Sequence, residues 1–209
     1  RQLHLSSSPI TDEGLQKLSR NTTLRNISLA YSDMTDEGVK YLKALPNLRR
    51  LDLGGTDVGN DGLLHVKELT GLKNLSLNYS RISDAGISSL QTLTSLQHLS
   101  LTRTRISDKS MPIVGSLLEL ESLDIDYCEI GDAGIAALKS LSKLKTLNMD
   151  STNITDAAAE WIMGFRELEL LNLYHTLITQ DAYDRIQQTI PDCRIIWDPE
   201  SSAPTRRGS

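Results

Sequence analysis

The sequence predicts an α/β solenoid: a curved, parallel β-sheet on the concave face, helices on the convex face, and one strand and one helix in each row of 24 residues. Three observations predict it. A Leu-x-Leu pair returns at that period as Leu3/Leu5, Ile27/Leu29, Leu51/Leu53, Leu75/Leu77, Leu99/Leu101, Leu123/Ile125, Leu147/Met149 and Leu171/Leu173, with a ninth copy at Ile195/Trp197. A leucine stands three residues ahead of seven of these pairs, at Leu24, Leu48, Leu72, Leu96, Leu120, Leu144 and Leu168. An apolar residue follows each opening position by seven residues, at Ile10, Met34, Val58, Ile82, Ile106, Ile130, Ile154 and Ile178. One row has no means of burying its own apolar face, so the rows must stack.

Each row carries two periods. The Leu-x-Leu segment alternates, as a short strand with one face turned inward does. Stacked rows then pair these strands in parallel, with neighbours about 4.8 Å apart. The second half of a row is helical: Leu15 and Leu18, Val39 and Leu42, Ile87 and Leu90, and Ile135 and Leu138 lie three apart on one face. The start of the helix is marked by Asp12, Asp36, Asp84, Asp108, Asp132 and Asp156. An aspartate there is expected to cap free backbone N–H groups and meet the positive end of the helix dipole. Its return in nearly every row reads as scaffold, because a catalytic group would not repeat. Pro112 delays the helix of the fifth row, which is expected to begin near Ser110.

Composition narrows the function. Aromatic residues make up 4% of the chain, so the core must be Leu, Ile and Val. No apolar run reaches the ~18 residues that a membrane span needs. A net charge of -5 with scattered Lys and Arg argues against nucleic acid, since phosphate binding needs clustered cations. Two cysteines make no disulfide framework: Cys128 reads as a small buried residue, and Cys193 lies more than two rows away from it. Asn-x-Ser/Thr triplets at Asn21, Asn26, Asn74, Asn78 and Asn153 arise mostly from the repeat's own Ser/Thr positions and read as scaffold rather than glycosylation sites.

The pattern Leu-x-x-Leu-x-Leu-x-x-Thr-x-Ile-Thr-Asp-x-Gly-Leu resembles the leucine-rich-repeat superfamily over residues 1–197. Its Thr-Asp-x-Gly-Leu turn resembles repeats of F-box-associated and bacterial effector proteins, and the even row length resembles long arrays in bacteria such as planctomycetes. The closing Pro191-Asp192-Cys193-Arg194-Ile195-Ile196-Trp197 also resembles the end of such arrays. The resemblance implies a leucine-rich-repeat solenoid of eight rows plus a terminal strand over residues 1–197, and a polar, disordered tail over 198–209. Arg1 stands two residues ahead of the first strand with no capping segment, so further residues are expected upstream. The superfamily's usual Asn, which bonds the backbone of adjacent turns, is replaced by Ser8, Ser32, Thr56, Ser80, Thr104, Cys128, Thr152 and Thr176. A shorter hydroxyl ladder is expected in its place. In the last row the expected leucines become Thr189 and Asp192, and Trp197 is expected to cover the final turn.

In a solenoid the positions that vary between rows are the ones free to face a partner. One variable column runs Ser7, Tyr31, Gly55, Tyr79, Arg103, Tyr127, Ser151, His175, and beside it runs Ser6, Ala30, Gly54, Asn78, Thr102, Asp126, Asp150, Tyr174. A third runs His4, Ser28, Asp52, Ser76, Ser100, Asp124, Asn148, Asn172, and all three are expected on the concave sheet. Tyr and Arg are enriched in binding hot spots. The candidate contact residues are therefore Tyr31, Tyr79, Arg103, Tyr127, Tyr174 and His175, with His98 nearby and Asp124, Asp126 and Asp150 forming an acidic neighbourhood. Three carboxylates are able to hold a hard cation such as Ca²⁺ or to meet a basic partner, and more often such a group is simply solvated. The reading adopts no metal and no cofactor.

His4, His65, His98 and His175 form no His-x-x-x-His motif, and neither a Gly-x-Ser-x-Gly motif nor a phosphate-binding loop occurs. The expected function is a non-catalytic protein–protein interaction scaffold working through the concave sheet. The alternatives are the recognition arm of a larger enzyme system, such as a ubiquitin-ligase-like adaptor or a kinase, and an extracellular receptor module for a glycan or peptide. The sequence names neither compartment nor oligomeric state.

Overall fold

The computed structural model describes residues 1–200. Among the described residues nine strands form one parallel sheet in chain order: β1 (Gln2–His4), β2 (Asn26–Ser28), β3 (Arg50–Asp52), β4 (Asn74–Ser76), β5 (His98–Ser100), β6 (Ser122–Asp124), β7 (Thr146–Asn148), β8 (Leu170–Asn172) and β9 (Arg194–Ile196). Every pairing keeps the 24-residue register, as in Leu51↔Leu75 and Leu171↔Ile195. The expected α/β solenoid is the architecture found. The polar tail expected beyond the last row lies, from Ser201 onward, outside the described residues.

The convex half of each row is more varied than one helix per row. Helices α1 (Asp12–Leu18), α3 (Asn60–Val66), α6 (Asp132–Ala137) and α8 (Gln180–Thr189) are joined by shorter ones, α2 (Asp36–Val39), α4 (Asp84–Ile87), α5 (Met111–Val114) and α7 (Ala159–Ile162). The short helices are completed by 3₁₀ turns at Lys40–Ala44, Ser88–Thr92, Asp108–Ser110 and Asp156–Ala158. A row must reach from one strand to the next within its fixed length, and the tighter 3₁₀ winding takes up the difference. Pro112 falls in the first turn of α5, which begins straight after Ser110, where a missing N–H costs nothing.

Between sheet and helices lies a single apolar core. Leu51, Leu53, Val58, Leu63, Val66 and Leu72 supply one row's share, each with no more than a trace of its surface exposed. Burying a side chain of this kind stabilises the fold by about 1.5–3 kcal/mol before entropy is set against it. The first row is thinner, with Leu3, Leu5, Ile10 and Leu18 only partly buried.

The aspartates do something other than expected. The helical part of each row, whether it opens as an α-helix or as a 3₁₀ turn, follows an extended residue, and the aspartate that comes next in most rows reaches into the following row. Asp12 accepts from the Thr35 backbone N–H at 2.9 Å and the Thr35 hydroxyl at 2.8 Å. Asp132 does the same to Thr155, and Asp156 to Thr179. Asp36 accepts from the N–H groups of Gly59 and Gly62 at 2.6 and 2.9 Å, and Asn60 plays the part for Ser83. The side chain therefore fixes the residue that caps its neighbour's helix, and at Gly62 it also meets a first-turn amide of that helix.

This interlock explains the glycine of Thr-Asp-x-Gly. A Cβ at Gly38, Gly62, Gly86 or Gly134 would fall 2.3–2.6 Å from the Asp or Asn oxygen of the preceding row. The glycine is the space that the carboxylate occupies. In the fifth row Ser110 stands there instead, and its hydroxyl donates to Asp84. Burial pushes the Asp84 pKa up, but hydrogen bonds from the hydroxyls of Ser107 and Ser110 and from the Ser107 N–H outweigh it and hold the carboxyl below the usual value.

Two further expectations are corrected. The hydroxyls replacing Asn bond chiefly within their own row: Ser32, Thr56, Ser80, Thr104 and Thr176 donate at 2.6–2.7 Å to the carbonyl three residues earlier. A link across rows forms at Cys128, whose thiol donates to Leu101 O in the preceding row at 3.2 Å and lies 3.6 Å from the Thr104 hydroxyl. In the last row the core is not given up at Thr189 and Asp192. Ile190 and Cys193, one residue further on, are buried in their place, while β9 stays in register. Both cysteines are free and buried, and burial pushes the Cys193 thiol up to about 11. Trp197 closes the end of the stack, its ring 4.5 Å from that of Tyr183 and its indole N–H donating to Ile178 O at 3.1 Å.

Candidate interaction surface

Two of the three variable columns do not lie on the sheet. The strands stop at His4, Ser28, Asp52 and their equivalents, so the next residues leave the sheet in a turn. In that turn Ser7, Tyr31, Gly55, Tyr79, Arg103, Tyr127, Ser151 and His175 all have a left-handed backbone, with φ between 51° and 66°. The column expected on the concave face is thus a rim along the C-terminal ends of the strands. Left-handed backbone is sparsely populated by residues other than glycine and costs about 1 kcal/mol or more at each. The stack imposes it, since the same N–H groups bond to the next row: Tyr31 to Gly54 O and Tyr79 to Thr102 O.

The rim brings aromatic and cationic groups together. Tyr31, Tyr79 and Tyr127 are 58%, 51% and 44% exposed. The Arg103 guanidinium lies 4.2 Å from the centre of the Tyr127 ring and 5.7 Å from that of Tyr79, a cation held between two π faces. Tyr31 lies over Gly55, where an added Cβ would fall 2.4 Å from its ring carbons. Tyr174 and His175 sit further along with ring centres 3.9 Å apart, both half-buried.

The acidic neighbours are partly committed to the backbone. Asp126 accepts from the Asp150 N–H at 2.7 Å, the task that Asn78 performs for Thr102 two rows earlier. Asp124 accepts from the Asn148 side chain, and Asp150 from Ser151 at 2.8 Å, with His175 Nδ1 3.1 Å away. Burial raises the Asp126 pKa to about 6; the Asp150 N–H opposes this, while the charges of Asp124 and Asp150 add to it. Among the described residues no group of three or more His, Cys, Asp and Glu is arranged to hold a metal ion. Ser151, Asp150 and His175 meet at the carboxylate, which accepts from the Ser151 hydroxyl and lies 3.1 Å from His175 Nδ1.

Apart from His98, sequence reasoning missed the second column of the sheet itself: Gln2, Asn26, Arg50, Asn74, His98, Ser122, Thr146 and Leu170. The signal was available, because a strand's outward face includes the residue before each buried leucine as well as the one after. With the third column it floors a shallow hollow of about 220 Å³ lined by Arg50, Asp52, Asn74, Ser76, His98, Ser100, Ser122 and Asp124. Ser76, Ser100 and Ser122 alternate there with the longer Arg50, Asn74 and His98, and hydrogen bonds tie its edges to neighbouring residues, Ser28 donating to Asp52 at 2.9 Å and Ser100 to Asn78 at 2.7 Å. Among the described residues no helix is long and apolar enough to cross a membrane.

A family model described as a leucine-rich repeat region matches residues 23–193, and a second leucine-rich-repeat model matches residues 1–19. No curated protein matches the sequence. Among solved structures the fold is similar to that of an internalin C2 from Listeria monocytogenes, with a TM-score of 0.79 at 24% identity, over 94% of this chain and 80% of that one. In all, 401 chains of known structure match, so the shape alone selects no particular task.

Proposed function

Since the chain belongs to the leucine-rich-repeat family, whose stacked rows present a long surface and no preformed cleft, we propose that it is a non-catalytic module that binds another protein along the rim of Tyr31, Tyr79, Arg103, Tyr127, Tyr174 and His175. The observation that carries this reading is the pairing of constant backbone with changing side chains. Every rim position has the same left-handed conformation, yet its residue differs from row to row and is a half-exposed tyrosine in three of them. Rings that are large and exposed on a fixed backbone suit a contact surface, because each can bury much area while keeping a polar tip. Of the other exposed large apolar side chains, Leu64, Leu118 and Trp161 lie singly on the helix side of their rows, in α3, just after α5 and in α7, and Ile196 ends the last strand, as single surface residues commonly do.

Affinity capture tests the reading with Tyr79→Gly/Tyr127→Gly and, as a convex-face control, Leu64→Ser/Leu118→Ser. A partner kept by the wild type and the convex variant but lost by the rim variant is the expected result. Equal retention by the rim variant would sink the proposal. Glycine is the replacement of choice because Gly55 already occupies the same turn in the third row.

A further inference from the structure

Resting on the rim as the contact face, we propose that its occupant is a proline-rich segment of another protein, bound in the polyproline II conformation and followed by a basic residue. The first argument is spacing. Tyr31, Tyr79 and Tyr127 stand on alternate rows. With parallel strands about 4.8 Å apart, the rungs recur every ~9.6 Å. A polyproline II helix turns once in about 9.3 Å and so presents the same edge to each rung. An extended strand repeats a face every ~6.7 Å and falls out of step at once. An α-helix returns to a face after seven residues, about 10.5 Å, and has drifted by roughly 2 Å at the third rung.

The second argument is what lies between the rungs. Between Tyr31 and Tyr79 the third row carries Gly55, and the Tyr31 ring lies flat over its backbone as an exposed aromatic surface. Arg103 lies between Tyr79 and Tyr127 and, among the described residues, its guanidinium has the two rings and no carboxylate for company. Its N–H groups are placed to donate to the carbonyls of a polyproline II chain, which have no internal partners.

The third argument is charge. Past Tyr127 the rim turns acidic, with Asp126 and Asp150 beside it and Asp124 at the end of β6. A lysine or arginine following the prolines would meet these carboxylates and fix which way round the segment lies. A polyproline II helix reads similarly in both directions, so an end of opposite charge is needed to choose one.

The test is a fluorescence-anisotropy titration of the protein with a labelled oligoproline peptide ending in two arginines. Two control peptides separate the arguments: a Gly-Ser chain of equal length with the same arginines, and the oligoproline ending in two glutamates. Saturable binding of the first is expected, weakened at least about tenfold in either control and in Tyr79→Gly/Tyr127→Gly. Circular dichroism of that variant checks that it remains folded. Equal binding by the Gly-Ser peptide reduces the site to charge attraction and overturns the proposal. So does equal binding by the glutamate peptide, or absence of saturable binding up to about 1 mM, where the free energy would fall short of ~4 kcal/mol. If the rim variant loses a captured protein while the oligoproline fails to bind, this inference falls and the contact face stands.

Discussion

The start of each helix and the end of each strand recur equally often, and they repeat different things. At the helix start the residues return: an Asp or Asn in all rows but the last, and in the next row a small residue beside it, Gly38, Gly62, Gly86 and Gly134 in four cases and Ser110, Ala158 and Ala182 in the others. At the strand end only the conformation returns, while Tyr, Gly, Arg, Ser and His take turns at φ near +55°. The difference lies in what each side chain touches. Asp36 is fixed by the amides of the following row, so a change there disturbs two rows at once. Tyr79 contributes its backbone to the stack and its ring to the surface, so the fold constrains the turn and leaves the ring free. Repetition of a residue marks contact between rows; repetition of a conformation alone marks surface available for function.

That contrast breaks most visibly at the interlock. Gly62→Leu would drive its Cβ into Asp36 and Val58, at 2.6 and 2.7 Å. The expected loss is about 3 kcal/mol, measured as a lower midpoint in urea, since overpacking displaces the carboxylate along with its hydrogen bonds. Asp36→Ala leaves two amides of the next row without their acceptor and should cost about 2 kcal/mol by the same measurement. A loss below about 0.5 kcal/mol in both would mean that the interlock is not what joins the rows.

Asp126 offers a smaller effect of opposite sign. Its folded pKa of about 6 lies above the ordinary 3.8, so between those values the folded state keeps a proton that the unfolded chain has released. Stability from this group therefore falls as pH rises through the window, and the full penalty stands above about pH 6. Asp126→Asn keeps an oxygen for the Asp150 N–H, as Asn78 does for Thr102, and removes the charge. It should stabilise the protein at pH 7 by about 1 kcal/mol, less than the full shift implies because the carboxyl remains partly solvated. The gain should vanish near pH 4; a gain independent of pH would place its origin elsewhere. Asp84 has the opposite sense: its lowered pKa lends stability that is present above the ordinary value and lost as pH falls below it.

The smallest expected change in stability is at the rim. Tyr79→Gly relieves left-handed backbone and gives up exposed ring contacts, so the two effects should cancel to within about 0.5 kcal/mol. A loss above about 1 kcal/mol would show that the ring supports the stack, and the division between scaffold and surface would then fail at that residue.

The sequence by itself determined the architecture of this protein, because a row of 24 residues with one apolar set per row has one economical way to bury it. The register of every strand and the packing of Trp197 against the last row were legible for that reason. The candidate residues rest on the same regularity, since variation within a strict repeat picks out the positions that stacking does not need. Other features depended on which atoms the stack brings near one another. Asp12 reads as a cap for its own helix until Thr35 of the next row is seen to lie closer. The tyrosine column reads as part of the sheet until the strands prove to end after three residues and the chain turns left-handed. Ile190 and Cys193 replaced the expected positions because burial follows space and not count. Periodicity reports which residues are equivalent between rows; the tertiary structure decided what each of them touches, because those contacts run across rows that the sequence separates by a full repeat.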